Sequence, residues 1–514
     1  MPLPLLVAAA ITFPGSGRCP KRAGAAEAAA LGSFLMALGV LAVLVTRGAA
    51  TSGLIGAAGI GFSSLLDAVS VTMLLLVSFI GWLVLRFART YLDGETRQGA
   101  FTGWLCLTLA AVLFLVQAGN LVQLAAAWIG MSVALRRLLL FYPERLAAQR
   151  AERKKRLFSR IGATALIIGT GLAVCAYGTT DIATVNSIAR TSGGSTLTTA
   201  TAAGLLAFAA LLKSAQFPTH GWLTEVMEAP TPVSALLHAG IVNAGGFLLV
   251  RFADLMLTAP GVLAAVAMVG GFTALFGALV MLTQPAVKTS LAWSTVAQMG
   301  FMMLECGLAL FPLALLHIVV HSFYKAHAFL ASGGAVEQAA AIRRPGPVAI
   351  PNGAAVGRAF VLALLIYAVI GAVFGVVFGF GHKSPQSLAL GAILIFGVAY
   401  LLAQGLADTA PRVLTRKTAS YAIAAAVGYF MLQTAAEWLT RGTLPATPLP
   451  GRLEWTLMFL AALSFGAVAI AQALLPLWSS HPAAAGLRVH LANGFYLNAV
   501  LDRLLGGWPA RVSL

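Results

Sequence analysis

Charged residues are scarce in this chain. Only 10% of its 514 residues are charged, 59% are hydrophobic, and the mean hydropathy is +0.90. A soluble globular domain carries about a quarter charged residues, because its surface must be solvated, so this composition excludes one. The sequence therefore predicts an all-α, polytopic membrane protein whose spans fold together as one bundle.

Cysteines and enzyme motifs are also few. The four cysteines show neither pairing nor metal spacing, which favours small interior residues over disulfides or a metal site. The sequence contains no nucleotide-binding glycine pattern, nucleophile elbow or HExxH zinc motif. We therefore expect this chain to hold no cofactor and no metal, and to have no enzymatic activity of its own. The cysteines are Cys19, Cys106, Cys175 and Cys306.

Acidic residues are outnumbered, and the formal net charge is +17. The basic residues lie in short segments between apolar runs, as the positive-inside rule expects, which argues against nucleic acid as the partner. The apolar runs predict about 14 transmembrane helices. Most lysines and arginines fall on one side of them, which predicts that both termini lie in the cytoplasm. We divide the chain into an N-terminal apolar and basic segment (1–26), a transmembrane domain (27–478) and a cytoplasmic amphipathic tail (479–514).

Two neighbouring apolar runs each contain an ionisable residue, Lys213 in the first and His238 in the second. Three prolines between them break or kink helices. A charge in hydrocarbon costs at least about 2.5–3.5 kcal/mol and normally faces a bundle interior or a water path. We therefore favour an ion path beside a broken helix over the alternative, a lysine that snorkels to the membrane surface.

A second constellation lies in LHIVVHSFYKAHAFL, where His317, His321 and Lys325 are spaced i, i+4 and i+8. On a helix they form one stripe about 12 Å long, which is typical of a proton relay. His327 falls off the stripe. Each histidine alone could instead be a hydrogen-bonded interior residue. A zinc site on the two histidines is a third reading, but no third ligand has useful spacing.

Further polar residues lie between or near the spans. His220, Glu225 and Glu228 could form an entrance for protons, provide the acidic partner of Lys213, or be solvated loop residues. Weaker candidates are Asp67, Glu305, Asp408 and Glu437. The basic run Arg145–Arg160 is either a topology anchor or a docking site for an acidic partner or anionic lipid. The amphipathic stretch Gly486–Trp508 predicts a helix along the membrane surface or a partner.

Two long stretches carry a family resemblance. LLKSAQFPTHGWLTEVMEAPTPVSALLHAGIV and LHIVVHSFYKAHAFLASG resemble the proton-conducting, antiporter-like subunits of respiratory complex I and Mrp antiporters, and the likeness covers roughly Leu124 to Gly334. The resemblance implies that residues 27–478 form an antiporter-like domain with two inverted five-helix repeats, each with a broken helix. By resemblance Lys213 is the lysine of the first broken helix and His238 the relay histidine after it. His317, His321 and Lys325 would connect the half-channels.

Some features depart from that pattern. The family has a glutamate after a tryptophan before the basic loop, whereas Ile129 follows Trp128 here. The lysine or glutamate of the second broken helix is not found either. These departures, together with the stretches WIGMSVALRRLLLFYPER and HLANGFYLNAVLDRLL, resemble the DabB subfamily. Its members are the membrane subunits of bacterial inorganic-carbon accumulation complexes. The resemblance implies a DabA-like partner, a large carbonic-anhydrase-like subunit that binds zinc and hydrates CO2 in the cytoplasm.

The sequence thus predicts an H+- or Na+-translocating subunit that powers inorganic-carbon uptake by this partner, with zinc and catalysis in the partner. The alternative is an Mrp-type cation/proton antiporter or a complex I-like proton-pumping subunit, which the missing glutamate disfavours. A purely structural scaffold would leave the intramembrane lysines Lys213 and Lys325 unexplained. Membrane lipid is the other expected partner.

Overall fold

Helices make up almost all of the regular structure. The computed structural model describes residues 1–13, 20–57, 59–192, 194–334, 352–379, 383–405 and 412–504. The structure is 81% helical. This confirms the predicted all-α membrane bundle, while the number of crossings and the inverted repeats stay predictions.

The main helices follow the chain in this order: α1 (Leu3–Thr12), α2 (Pro20–Arg47), α3 (Ala68–Tyr91), α4 (Gln98–Val116), α5 (Leu121–Leu139), α6 (Leu146–Tyr177), α7 (Ile182–Thr191), α8 (Leu197–Lys213), α9 (Gly221–Thr224), α10 (Thr231–Ala239), α11 (Ala244–Arg251), α12 (Ala253–Leu257), α13 (Pro260–Met281), α14 (Val287–Gly307), α15 (Phe311–Leu330), α16 (Gly353–Phe378), α17 (Pro385–Gly405), α18 (Arg412–Leu439), α19 (Arg452–Ala473), α20 (Leu475–Trp478), α21 (Pro482–Ala492) and α22 (Leu497–Leu504). Single turns of 3-10 helix lie at Val226–Glu228, Ile241–Asn243, Ala331–Gly334 and Gly494–Tyr496.

Eleven candidate spans in the described part of the chain are long and apolar enough to cross a membrane. One of them runs from Thr231 to Arg251 and joins α10 to α11. Helix α8 is apolar but has 17 residues, the apolar stretch Pro385–Ala399 lies within α17, and α14 carries more polar residues along its length. All three lie where the hydropathy of the sequence also predicts a span.

Short strands fill the connection between α2 and α3. Strand β1 (Ala50–Thr51) pairs antiparallel with β4 (Leu65–Leu66). Strand β2 (Ile55–Ala57) pairs in the same way with β3 (Ile60–Phe62). The two small ribbons therefore satisfy backbone groups of the connection without a larger sheet.

The close contact between α13 and α14 depends on glycine. A Cβ added at Gly270 would lie 2.6 Å from the backbone nitrogen of Leu304, and one at Gly300 would lie 2.4 Å from the backbone nitrogen of Ala274. Small residues let helix backbones approach closely in membranes. The two glycines therefore allow α13 and α14 to pack closely against each other.

Helix breaks lie beside the two ionisable residues of the first constellation. Helix α8 ends at Lys213, and the chain is not regularly helical again until α9. His238 lies in the last turn of α10, just before Gly240 interrupts the helix with φ −125° and ψ −70°. The Ser214 hydroxyl donates a hydrogen bond of 2.8 Å to the carbonyl of Val242, which joins the two breaks.

The predicted division at residue 478 coincides with the end of α20, and α21 and α22 follow it. The division itself stays a prediction. Asp408 lies outside the described residues, as do 14–19 in the N-terminal segment and 505–514 at the end of the tail.

Candidate functional site

Lys213 is buried at the end of α8. Its Nζ donates a hydrogen bond of 3.0 Å to the Ser132 hydroxyl on α5 and lies 4.9 Å from the centroid of the Trp128 ring. Ile129, at the position of the missing glutamate, is 37% exposed. In the part of the chain that the structure describes, no carboxylate lies within ion-pair distance of Lys213. A hydroxyl and a ring face therefore stand where an ammonium group ordinarily has a carboxylate.

A second buried lysine reaches the same residue. The Nζ of Lys155 donates to the backbone carbonyl of Ser132 at 3.0 Å. Its neighbour Glu152 is also buried and has its Oε1 2.7 Å from Nε of Arg136, an ion pair without hydrogen-bond geometry. From the sequence, Lys155 and Glu152 were interpreted only as part of a basic run. Both residues repeat at helical spacing with the buried Phe158, and this pattern could have indicated a helix face that points into the bundle.

His238 is fully buried between α14 and α15. Its Nδ1 lies 3.0 Å from Oγ1 of Thr295, and its ring stacks on Phe329 with centroids 4.4 Å apart. The Thr295 hydroxyl donates its single proton to the carbonyl of Leu291 at 3.0 Å. The hydroxyl must therefore accept from Nδ1–H of His238, which leaves Nε2 of the ring to take up a proton.

Lys325 converges on the same turn of α14. Its Nζ donates to the carbonyl of Leu291 at 3.1 Å, and its side chain is buried. Thr295 and Leu291 thus join the histidine of the first constellation to the lysine of the second. Neither Thr295 nor Leu291 was predicted from the sequence, because neither residue type indicates a site by itself.

The stripe on α15 points inward as its spacing predicts. His321 is buried, and its Nε2 donates to the carbonyl of His238 at 3.1 Å. The rings of His317 and His321 have centroids 6.0 Å apart. Nδ1 of His317 lies 3.0 Å from Oε2 of the buried Glu305, so a carboxylate ends the row near the start of α15. His327, in contrast, is exposed.

The structure pairs neither Glu225 nor Glu228 with Lys213. Oε1 of Glu225 lies 2.6 Å from Nζ of Lys154, and Oε2 of Glu228 lies 2.9 Å from Arg145. Burial raises the pKa of Glu225, although Lys154 opposes the change. Both carboxylates instead form ion pairs with residues of the basic run, and a role at a proton entrance stays a prediction.

His220 is buried in an aromatic box. Its ring centroid lies 5.0 Å from Trp293, 5.3 Å from Phe276 and 6.2 Å from Phe217. Burial, reinforced by Lys154, lowers the pKa of His220 to about 4. The imidazole is therefore neutral at pH 7, and a role at a proton entrance stays a prediction.

The tail packs back onto this region. Oδ1 of Asp502 on α22 lies 2.8 Å from Nζ of Lys154, so Lys154 joins the tail to Glu225. The amide of Gln284 donates to the carbonyl of Ala492 at 3.2 Å. The described part of the tail therefore lies against its own bundle, at the end of the molecule that holds the basic run.

In the second half of the chain, the ammonium group of Lys383 lies over aromatic rings. Nζ of Lys383 lies 3.8 Å from the centroid of the Phe430 ring and 5.2 Å from that of Phe374. The amide of Gln433 donates to Glu437 at 3.0 Å.

Among the described residues, no group of three or more histidine, cysteine, aspartate and glutamate side chains could hold a metal ion.

Known proteins resemble the chain over most of its length. A family model described as "NADH:quinone oxidoreductase/Mrp antiporter, TM" matches residues 118–344, and one described as "NADH-Ubiquinone oxidoreductase (complex I), chain 5 N-terminus" matches residues 54–102. The probable inorganic carbon transporter subunit DabB2 of Halothiobacillus neapolitanus is 36% identical over 464 residues, which is 89% of this chain and 83% of that protein. The probable subunit DabB of Hydrogenovibrio crunogenus is 42% identical over 269 residues, 52% of each chain.

A solved structure shares the fold. The Mrp complex from Dietzia sp. DQ12-45-1b matches with a TM-score of 0.57 and 23% identity, covering 99% of this chain and 57% of that one. At this identity the likeness supports the fold alone.

Proposed function

We propose that this chain, which belongs to the family of antiporter-like membrane subunits of complex I and Mrp antiporters, translocates H+ or Na+ to drive inorganic-carbon uptake. It is a multi-pass membrane protein. The observation that carries the proposal is the set of buried and half-buried ionisable side chains inside the bundle. Its members are Lys213, His238, Lys325, His321, His317 and Glu305.

The histidines suit proton transfer because each ring keeps one nitrogen available. Nε2 of His238 and Nδ1 of His321 have no hydrogen-bond partner among the described atoms. Imidazole can accept a proton at such a nitrogen and release one from the other. A proton taken up on His321 would pass to His317 and then to Glu305. Lys325 and Lys213 would each give up a proton and recover it from the neighbouring half of the path.

The printed names of the relatives support inorganic carbon as the transported species. Those names describe subunits, so we propose a DabA-like partner that binds zinc and performs the CO2 chemistry, while this chain holds no metal and is not itself an enzyme. The basic helix α6 and the tail lie together, and we propose that this end faces the bacterial cytoplasm and the partner. Both termini would then be cytoplasmic, in the inner membrane.

Antiport in the Mrp manner is the second candidate, and the family model that names Mrp antiporters favours it. The surroundings of Lys213 disfavour it, since a hydroxyl replaces the carboxylate that the resemblance leads us to expect.

Coexpression tests the proposal. A bacterial cell that lacks carbonic anhydrase should regain growth in air when it makes this chain together with the partner, and neither protein alone should suffice. An uncoupler should stop the uptake of labelled inorganic carbon. Growth rescued by this chain alone would refute the assignment, as would uptake that survives the collapse of both H+ and Na+ gradients. Rescue of sodium tolerance in an antiporter-deficient cell would instead support the second candidate.

A further inference from the structure

A small cavity lies beside Lys213, where α5, α6, α8 and α9 meet. Its polar lining consists of Lys155, Ser159, Lys213 and Trp222. None of the described residues that line it is acidic. The cavity has room for about one water molecule. Two ammonium groups thus share an enclosed space that no side-chain carboxylate enters.

The indole of Trp222 indicates that something with lone pairs belongs there. Trp222 is 3% exposed, and its Nε1 has no hydrogen-bond partner among the described protein atoms. An indole nitrogen can only donate. Buried donors are almost always paired, because an unpaired one loses its hydration without compensation. The missing partner must therefore be an acceptor.

The two lysines also have donors to spare. Each ammonium group carries three N–H bonds, and the structure pairs one of each with Ser132. The carboxylates nearest in sequence are engaged elsewhere, Glu152 with Arg136 and Glu225 with Lys154. A neutral water could accept a hydrogen bond, but it would leave the buried positive charge of Lys213 without a counter-charge from any described carboxylate within ion-pair distance, which is costly.

We propose that this cavity binds one monatomic monovalent anion, chloride. The anion accepts a hydrogen bond from Nε1 of Trp222 and further bonds from the ammonium groups of Lys155 and Lys213. It supplies the negative charge that Lys213 does not receive from any described carboxylate within ion-pair distance. The size of the cavity excludes bicarbonate and larger anions. This inference does not depend on ion translocation, because it concerns binding alone.

Thermal unfolding of the purified full-length protein in lipid nanodiscs tests the proposal. Sodium bicarbonate or sodium chloride replaces sodium gluconate at constant pH and ionic strength. A ligand that binds only the native state raises the unfolding temperature as its concentration increases. We expect a saturable rise with chloride and none with bicarbonate, which is too large for the cavity.

Three variants show whether the rise comes from this cavity. Trp222→Phe keeps an aromatic ring and removes only the donor, and should weaken the apparent affinity about tenfold or more, as expected for a hydrogen bond to a charged group. Trp104→Phe is the matched control, because Trp104 contacts Phe13 and Arg137 away from the cavity, and its titration should equal that of the wild type. Ser132→Asp places a carboxylate beside both lysines and should abolish the response.

Two results would overturn the proposal. One is an unfolding temperature of the wild type that is no higher in chloride than in gluconate, or that rises equally in bicarbonate. The other is an equal anion response in Trp222→Phe and the wild type. If Trp222→Phe does not fold, the comparison of the wild type with Ser132→Asp decides, because an undiminished response in Ser132→Asp equally contradicts a site between the lysines.

Discussion

At the scale of single residues, position around α15 separates histidines that composition cannot distinguish. His321 and Lys325 are buried, whereas His327, turned about 200° from Lys325 on the helix, is exposed. We expect His321→Ala and Lys325→Ala each to abolish most gradient-driven carbon uptake. His327→Ala should reduce it little, because no proton path reaches the exposed face. Uptake by membranes with matched amounts of protein measures the difference, and equal losses at all three positions would indicate packing damage.

Thr295 gives a second test at this scale. Thr295→Val keeps the shape of the side chain but leaves Nδ1–H of His238 unpaired, which should cost about 1–3 kcal/mol of unfolding free energy. The loss of a defined proton position on the imidazole should also slow uptake. Thr295→Ser retains the hydroxyl and is the control for both measurements. Normal stability and uptake in Thr295→Val would show that the contact of 3.0 Å between Thr295 and His238 contributes to neither property.

The sequence indicated that the ionisable residues Lys213 and Lys325 are buried, but not which residues they contact. Lys213 and Lys325 stand out because a charge in an apolar run demands an explanation. Ser132 and Thr295 are ordinary polar residues, and each meets its lysine or histidine only after distant helices have packed. Such contacts depend on tertiary structure and leave no local signal.

At the scale of helices, an ion pair joins α3 to α11. Asp67 accepts a hydrogen bond from the backbone of Ser70 at the start of α3, and its Oδ2 lies 2.6 Å from Arg251. Burial alone would raise the pKa of Asp67, but Arg251 and the hydrogen bonds hold it below its ordinary value. The pair therefore stabilises the folded state when the carboxyl is ionised, and its contribution is lost as the pH falls through that lowered pKa.

Asp67→Asn should destabilise the protein by about 3–5 kcal/mol, because asparagine still caps the helix but leaves Arg251 buried without a counter-charge. The unfolding temperature in nanodiscs measures the loss. Asp67 is ionised in both states above its unfolded pKa, so the difference from the wild type should stay constant near neutral pH and shrink below about pH 4. A difference that grows in acid would contradict the assignment.

The tail offers an independent prediction. Asp502→Asn removes the charge that holds α22 to Lys154, so hydrogen exchange along α22 should become faster. Glu228→Gln makes the same chemical change on a carboxylate that pairs with Arg145, and should leave α22 unchanged. Equal exchange in Asp502→Asn and the wild type would show that other contacts hold the tail.

Helix positions followed well from hydropathy, because a span must be long and apolar. The two small β ribbons between α2 and α3 did not, since their strands have only two or three residues. The burial of lysines within the basic run was not predicted either. Helix α6 continues through it from Leu146 to Tyr177 and buries Lys154 and Lys155, which a count of loop charges cannot reveal.

At the scale of the whole molecule, we propose that a gradient drives carbon uptake through these ionisable side chains. The family matches support a membrane subunit of the antiporter-like family, and the relatives' names support a probable inorganic carbon transporter. The family motifs predicted the fold class because they are long and specific, while the inverted repeats they imply stay a prediction.

The most direct measurement uses proteoliposomes that contain this chain with its partner. An imposed H+ or Na+ gradient should drive accumulation of labelled inorganic carbon by the wild type. Lys213→Ala, at the same amount of complex, should accumulate no more than vesicles without a gradient, because the buried ammonium group at the helix break is lost. Accumulation by Lys213→Ala at the wild-type rate, or wild-type accumulation with both gradients collapsed, would contradict the account.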